Sequence, residues 1–301
     1  MPADPPHRAL PRVLLPLTVL ALLLGEVLTG GGRRAAAGGP PPGQVVPQVA
    51  AAHRAAAPDF PGTLAVAITR LEAPASGTGL RAAEARSARL RAAAAGNGPA
   101  STRPFPTASM VKLFVAEDLL HRARTGALVL SPEDGTLMAD MIRSSDDPAA
   151  SALWVRYGGD GMVTSVARRY GLTGTAPPAV PGQWGQATTT AADLASFLAR
   201  LPVIAHPDDA ARLLGWMREA TPLAADGFDQ RFGLFGAVPD GSPVKQGWMC
   251  CAEGERHLHS VAVLGNRVVV LLSEMSRDVG WEVARGALTA AARAVPVPAQ
   301  R

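Results

Sequence analysis

The chain has 301 residues, of which 48% are hydrophobic and 18% are charged. This composition suits one globular domain with a sizeable core. The net charge of +4 does not indicate nucleic-acid binding, because the arginines are scattered, with no basic run beyond Arg33-Arg34 and no interleaved aromatic residues. We therefore expect no nucleic-acid partner.

The first 37 residues have the pattern of an export signal. Basic residues up to Arg12 precede an apolar run at residues 13–24, and Ala35-Ala36-Ala37 offers a small-residue cleavage site. The apolar run is short for a membrane span, so we predict cleavage and a secreted protein, with an uncleaved N-terminal anchor as the alternative. No cysteine lies near the end of the signal, so lipid attachment is not expected there.

The chain after the signal begins with a flexible leader and a strand. Residues 38–58 are rich in Gly, Pro and Ala, which is typical of a flexible segment. Gly62 to Leu71 alternates like a strand, and a second strand is predicted in the Arg/Ala-rich stretch before Pro104. The folded domain is assigned to residues 59–297.

The middle of the chain is predicted to be helical from Ala108 to about Leu201. Apolar residues occupy most faces of Ser109 to Thr125, which indicates a helix buried at the centre of the domain. Thr190–Asp193 resembles a capping box at the start of a helix that runs to Leu201.

Strands return after about Pro222 and are followed by a C-terminal helix. Gly265-Asn266 is a hairpin turn signal between the last two strands. The order of elements predicts an α+β fold, with an antiparallel sheet flanked by helices and an all-α lobe. The predicted segments are strands at Val244–Cys250, Leu258–Leu264 and Arg267–Ser273, a helix at Val279–Val295, an α/β part at 59–107 and 203–297, and a helical lobe at 108–202.

Only two of the 29 basic residues are lysines, Lys112 and Lys245. Arginine stays protonated in proteins, whereas a buried lysine can lose its proton. Lys112 follows Ser109 by three residues, so on a helix the two side chains share one face. A serine nucleophile needs a base within reach, and the pattern predicts this pair. The alternative is an N-capping serine followed by a surface lysine.

Two further motifs complete the predicted catalytic set. Ser145, in Ser144–Asp147, is predicted to relay a proton from Lys112 to a leaving nitrogen. Lys245, on a predicted strand, would offer positive charge to an anionic substrate group. If Asp147 points inward, its carboxylate would favour protonated Lys112 and weaken that base. Alternatively, Asp147 could orient a hydrolytic water.

In this order the three motifs resemble those of the class A β-lactamase and penicillin-binding-protein superfamily, from about residue 62 to 294. Thr107–Leu113 matches the nucleophile motif, Ser145–Ala150 resembles the second motif with Asp147 in place of Asn, and Lys245–Gly247 resembles the third. The resemblance implies a β-lactamase/transpeptidase-like fold, no cofactor, and an oxyanion hole formed by backbone N–H groups. The implied site residues are Ser109, Lys112 and Ser145 for catalysis, Lys245, Gln246, Gly247, Trp248 and Asp147 for substrate binding, and Ser109 and Trp248 for the oxyanion hole.

The sequence departs from the class A pattern in the omega loop. Class A β-lactamases place a Glu there to activate the deacylating water. Here no Glu occurs between Glu133 and Glu219, and ungapped counting back from Pro181 puts Thr173 near that position. We therefore expect slow deacylation.

Three functions stay open for this chain, which we expect to be a monomer. The first is an exported serine hydrolase that forms an acyl-enzyme at Ser109 with a β-lactam or related amide. The second is a penicillin-binding D,D-peptidase that acts on cell-wall peptides. The third is a non-catalytic wall-binding module, which retention of both lysines disfavours.

Other candidate residues are assigned structural roles. Neighbouring strand residues point to opposite faces, so two thiols are favoured over a vicinal disulfide at Cys250-Cys251, while a disulfide to another chain stays open. His257 and His259 share a strand face, for which a polar face is favoured over a metal site, and no metal is predicted. Trp184 could line a pocket, but large aromatic residues more often belong to the core.

Overall fold

The structure, a computed structural model, describes Phe60, residues 62–72 and residues 95–295. The predicted signal and leader, and most of the Arg/Ala-rich stretch, lie outside the described residues. The elements are β1 (Gly62–Arg70), β2 (Ala95–Gly96), α1 (Pro99–Thr102), β3 (Phe105–Pro106), α2 (Val111–Arg124), α3 (Pro132–Arg143), α4 (Asp147–Tyr157), α5 (Gly159–Tyr170), β4 (Thr188–Thr189), α6 (Ala191–Ile204), α7 (Pro207–Arg218), β5 (Val244–Ala252), β6 (Glu255–Leu264), β7 (Arg267–Ser276) and α8 (Trp281–Arg293).

The central sheet has five antiparallel strands in the order β2-β1-β7-β6-β5. Because successive strand residues point to opposite faces, Leu64 and Val66 of β1 pack with α8, whereas Ala65 and Ala67 pack towards the helical lobe. The sheet therefore separates two apolar cores. The predicted α+β fold with an antiparallel sheet is confirmed.

Helix α2 forms the centre of the helical lobe. All its residues from 111 to 120 are buried, which explains why no polar face is visible in its sequence. Phe114 of α2 packs edge-on against Phe197 of α6, with ring centroids 5.0 Å apart. Helix α7 also buries Leu213 and Met217 in this core, so the helical region continues past residue 202 to Arg218.

The start of α6 fixes the neighbouring loop. The Thr190 side chain accepts a hydrogen bond from the Asp193 N–H at 2.9 Å, which is half of the predicted capping box. The Asp193 carboxylate instead accepts hydrogen bonds from the Gly174 N–H at 2.7 Å and the Thr175 hydroxyl at 2.9 Å. This carboxylate therefore ties the 171–187 loop to the helical lobe. No helix in the described ranges is long and apolar enough to cross a membrane.

Candidate active site

Ser109 lies on a 3-10 turn, Ala108–Met110, that leads directly into α2. Ala108 has φ +45°, which is uncommon for a residue with a side chain and is found most often at functional sites. The turn is held by a 2.6 Å hydrogen bond from the Thr107 N–H to the Ala187 carbonyl. Ser109 is 5% exposed, and within the described residues its hydroxyl has no hydrogen-bond partner.

Gly247 allows strand β5 to approach this turn closely. A Cβ on Gly247 would lie 3.2 Å from the Ser109 nitrogen and 3.3 Å from the Thr107 carbonyl oxygen, closer than ordinary van der Waals contact. A Cβ at this position would require its neighbours to move by a few tenths of an ångström, so the glycine lets the strand backbone lie close against the Ser109 turn.

The Lys112 amine is fully buried beside Ser145 and Asp147. It donates hydrogen bonds to the Ser145 carbonyl at 2.6 Å, the Ser145 hydroxyl at 3.3 Å and the Asp147 carboxylate at 2.5 Å. Burial lowers the pKa of Lys112, although the charge and the hydrogen bond of Asp147 oppose this change. The Asp147 carboxylate therefore points inward, as one sequence-based hypothesis supposed.

The Lys245 amine approaches the same serine from the sheet. It donates to the Ser145 hydroxyl at 2.8 Å and to the Gln246 carbonyl at 2.9 Å. Burial, together with the nearby charge of Lys112, lowers the pKa of Lys245 well below its usual value. Ser145 itself has φ +55°, so this backbone conformation holds its hydroxyl between two amines.

A cleft of about 250 Å³ opens at Ser109. The Trp184 ring centroid lies 5.0 Å from the Lys112 amine, and its indole N–H donates to the Ser151 hydroxyl at 3.1 Å. Trp184 therefore forms a wall of the cleft above the buried lysine. The lining residues are Ala108, Ser109, Asp147, Gly182, Gln183, Trp184, Gly185, Trp248 and Met249.

Trp248 also lines the cleft at Ser109. Its ring stacks on Phe228 with centroids 4.7 Å apart, and its indole N–H donates to the Asp226 carboxylate at 3.2 Å. Asp226 was not singled out from the sequence, because no local pattern links it to Trp248. Gln246, one residue earlier, is buried, and within the described residues neither of its amide atoms has a hydrogen-bond partner.

His259 is hydrogen-bonded to Pro106, close in sequence to the Ser109 turn. The Ser273 N–H donates to its Nδ1 at 3.2 Å, so its Nε2 carries the proton and donates to the Pro106 carbonyl at 2.8 Å. Burial lowers the pKa of His259 to about 3. The His257 ring lies 6.0 Å away, and among the described residues no cluster of three or more His, Cys, Asp or Glu side chains could hold a metal ion.

The expectation of two free thiols at the end of β5 is wrong. Cys250 and Cys251 form a vicinal disulfide. The register of β5 against β6 shifts between Cys250 and Ala252, so a bulge interrupts the alternation of side chains at this point. The regular alternation of strand side chains therefore does not separate the Cys250 and Cys251 side chains.

Parts of the chain are similar in sequence to known proteins. Residues 135–232 match the sequence model of the β-lactamase enzyme family. "Putative lipoprotein LppW" of Mycobacterium tuberculosis is 39% identical over 207 residues, which cover 64% of this chain and 63% of that protein. The chain thus spans slightly less than two thirds of that relative's length.

Solved structures establish the fold. A class A β-lactamase from Mycobacterium abscessus is 19% identical and superposes with a TM-score of 0.57, covering 83% of this chain and 97% of that one. A β-lactamase from Desulfarculus baarsii is also 19% identical, with a TM-score of 0.57 and coverage of 85% and 97%. The resemblance noted in the sequence is confirmed at the level of the fold: the chain has the class A β-lactamase fold.

Proposed function

We propose that this chain is an extracytoplasmic serine hydrolase that forms an acyl-enzyme at Ser109 with a β-lactam or a related amide. One observation carries the proposal. An unpartnered serine hydroxyl lines a cleft one helical turn from a buried lysine, and the Ser145 hydroxyl lies between that lysine and a second one. Burial lowers the pKa of both amines, which favours the neutral form that a general base requires.

Acylation follows from these positions. The neutral Lys112 amine accepts the Ser109 proton as Oγ attacks the substrate carbonyl carbon. The backbone N–H groups of Ser109 and Trp248 donate to the developing oxyanion. The C–N bond of the amide then breaks, and the Ser145 hydroxyl passes a proton to the leaving nitrogen while it recovers one from the Lys112 ammonium.

Deacylation is proposed to be slow. Water attacks an ester efficiently when a base holds it, and Asp147 is the one carboxylate among the residues that line the cleft in the described structure. That carboxylate is bound to Lys112 at 2.5 Å, and the Trp184 ring covers the same amine. A long-lived acyl-enzyme also suits a penicillin-binding D,D-peptidase, which is the second candidate function.

The proposed location outside the cytoplasm rests on two supports. The first 37 residues have the pattern of an export signal, and the relative in Mycobacterium tuberculosis is named as a lipoprotein. The two cysteines of this chain are Cys250 and Cys251, so the predicted signal segment itself offers no thiol for lipidation.

The test is the intact mass of the purified protein after mixing with benzylpenicillin, with Ser109→Ala as the matched control. We expect an adduct that persists on the wild type and is absent from the variant. Rapid loss of the β-lactam without an adduct would indicate efficient hydrolysis and contradict slow deacylation. If neither adduct nor hydrolysis occurs, the β-lactam proposal is wrong and the non-catalytic alternative gains support.

Asp147→Asn is expected to raise the rate of acylation by about threefold to tenfold. The Asp147 carboxylate raises the pKa of Lys112 by its charge and its hydrogen bond, so removing the charge increases the fraction of neutral amine at pH 7. The measurement is the rate of adduct formation with benzylpenicillin under pseudo-first-order conditions.

Asp226→Asn is the control variant for this prediction, and a smaller effect in the same direction is expected from it. Asp226 also raises the pKa of Lys112, but through charge alone, so its removal should increase the acylation rate by less. An unchanged or lower acylation rate in Asp147→Asn would overturn the inhibitory role. If instead the adduct of that variant persists longer, Asp147 orients the deacylating water.

A further inference from the structure

The end of helix α3, directly before the serine that lies between the two amines, is held by a distant segment. Arg143 is the last residue of α3 and Ser144 is its C-cap, and carbonyl groups at this end of a helix lack partners inside the helix. The Ser144 carbonyl accepts a hydrogen bond from the Ala225 N–H at 2.8 Å, and the Arg143 carbonyl accepts one from the Thr221 N–H at 3.0 Å. The chain after α7 therefore supplies the donors that the end of α3 lacks.

Residues 221–230, which we call the 221–230 loop, are closed at their base by Gln230. The side-chain amide of Gln230 donates to the Thr221 carbonyl at 2.8 Å and to the Arg143 carbonyl at 3.1 Å, so both protons of its amide group are used. The Gln230 N–H donates to the Pro222 carbonyl at 2.8 Å. Gln230 is 1% exposed. One buried amide therefore joins both ends of the loop to the end of α3.

The backbone conformation of Ser145 depends on support of this kind. Its φ of +55° is uncommon for a residue with a side chain, and such a conformation persists where the surrounding contacts fix it. The Ser145 hydroxyl accepts hydrogen bonds from Lys112 at 3.3 Å and from Lys245 at 2.8 Å. A shift of the chain at Ser144 would move this hydroxyl relative to both amines. The contacts of the 221–230 loop with the preceding carbonyls therefore determine the geometry of the proton relay.

The same loop also contacts strand β5. The Asp226 carboxylate accepts the Trp248 indole N–H at 3.2 Å, and the Phe228 ring stacks on Trp248 with centroids 4.7 Å apart. Trp248 follows Lys245 by three residues on this strand. The loop thus contacts both the segment that leads to Ser145 and the strand that carries Lys245, so it fixes the position of one relative to the other.

We propose that Gln230 is a positioning residue for the step in which Ser145 protonates the leaving nitrogen. This inference rests on the proposed function and deepens it. With the Gln230 amide in place, the 221–230 loop holds the Ser145 hydroxyl between the two amines. Without it, the Arg143 and Thr221 carbonyls lose a buried donor, and the end of α3 is free to shift. A misplacement of about 1 Å is enough to slow a positioned reaction strongly.

The leaving group decides whether this proton is needed. In acylation by a β-lactam, Ser109 Oγ bonds to the carbonyl carbon, the C–N bond breaks, and the nitrogen receives a proton from Ser145, which regains one from the Lys112 ammonium. In acylation by a p-nitrophenyl ester, the C–O bond breaks and nitrophenolate leaves as an anion without a proton. The placement of Ser145 therefore affects the amide far more than the ester.

The test compares two substrates that carry the same phenylacetamido group, benzylpenicillin and the p-nitrophenyl ester of N-phenylacetylglycine. Acylation by benzylpenicillin is followed by intact mass. Acylation by the ester is followed from the burst of nitrophenolate, whose amplitude counts the folded, reactive protein. The rate with Ser109→Ala is subtracted for each substrate.

Gln230→Met keeps the length of the side chain and removes its amide. In this variant, acylation by benzylpenicillin should be slower by about tenfold, whereas acylation by the ester should be slower by less than about twofold. Ser145→Ala should also slow acylation by benzylpenicillin more than acylation by the ester, since it removes the relay itself.

Asp229→Asn is the matched control within the same loop. The Asp229 carboxylate accepts the Arg231 N–H at 2.9 Å and lies 3.5 Å from the Arg285 guanidinium, away from the end of α3. This substitution keeps an acceptor oxygen and should leave both acylation rates unchanged.

The outcomes separate the inference from the proposed function. If benzylpenicillin does not acylate the wild type at Ser109, the proposed function fails and the inference fails with it. If Gln230→Met slows both substrates by the same factor, or abolishes the nitrophenolate burst, Gln230 has only a structural role. The inference is then wrong while the acyl-enzyme proposal stands. Unchanged rates of Gln230→Met with both substrates would overturn the inference as well.

Discussion

Replacing Lys112 with Met is expected to lower the rate of acylation at Ser109 by about 10²- to 10⁴-fold, the usual contribution of a positioned general base. Lys112 is the buried amine one turn from the serine, and burial lowers its pKa. The measurement is the rate of adduct formation with benzylpenicillin, followed by intact mass.

The same substitution should lower the free energy of unfolding by no more than about 1–3 kcal/mol, the cost of leaving the buried Ser145 carbonyl without its donor. Met has a similar length and fills the space without a desolvated charge. The Asp147 carboxylate that loses its partner is 61% exposed, so water can solvate it. Denaturant unfolding of the variant would therefore separate loss of chemistry from loss of fold.

Lys245→Met is the matched control for this prediction. Among the described residues neither amine is hydrogen-bonded to Ser109. Lys112 lies one helical turn from the serine, whereas Lys245 lies on strand β5 and contacts the Ser145 hydroxyl, so removal of Lys245 should reduce acylation by only about tenfold to a hundredfold. If Lys245→Met costs more acylation than Lys112→Met, then Lys245 rather than Lys112 serves as the base.

Local patterns were sufficient to predict the C-terminal strands and the helix that follows Ser109. The apolar stretches Leu258–Leu264 and Arg267–Ser273, joined by the turn at Gly265-Asn266, predict a hairpin that the structure contains. Ser109 and Lys112 are brought together by helical geometry, because residues three apart share a face. These predictions rest on residues that are close in sequence. The distances between such residues along a helix or a strand do not depend on the rest of the fold.

Contacts between distant segments could not be predicted in the same way. Asp147 lies 35 positions from Lys112, and its inward orientation depends on where α4 begins beside α2. His259 and Pro106 are 153 positions apart, and only the assembled sheet brings the histidine to the Pro106 carbonyl. The Cys250–Cys251 disulfide lies at a bulge in β5, and no residue pattern of β5 indicates that bulge.

The stability of the protein is expected to fall as the pH decreases from 6.5 towards 3, in part because of His259. Burial lowers the pKa of His259 to about 3 in the folded state, whereas an unfolded histidine has a pKa of about 6.5. Below pH 6.5 the unfolded chain therefore binds a proton that the folded chain excludes, and the free energy of unfolding decreases. At pH 4 this residue alone should cost about 3 kcal/mol.

The measurement is the free energy of denaturant unfolding of wild type and His259→Gln at pH 7 and pH 4. At pH 7 the variant should be less stable by about 1–3 kcal/mol, because the histidine accepts from Ser273 and donates to Pro106. At pH 4 this deficit should shrink or reverse, since glutamine does not titrate.

Each protein's change in unfolding free energy between pH 7 and pH 4 includes contributions from other acid-sensitive groups. Subtracting the change of His259→Gln from that of the wild type removes these shared contributions. The groups near His259 include His257, whose pKa is also lowered by burial, and the ion pair of Arg103 with Glu274. His257→Gln, which should retain most of the pH dependence that His259 causes, is the matched control. A stability deficit of His259→Gln that is the same at both pH values would contradict a buried neutral histidine. It would also remove the reason to assign the hydrogen bond with Pro106 to the Nε2 proton.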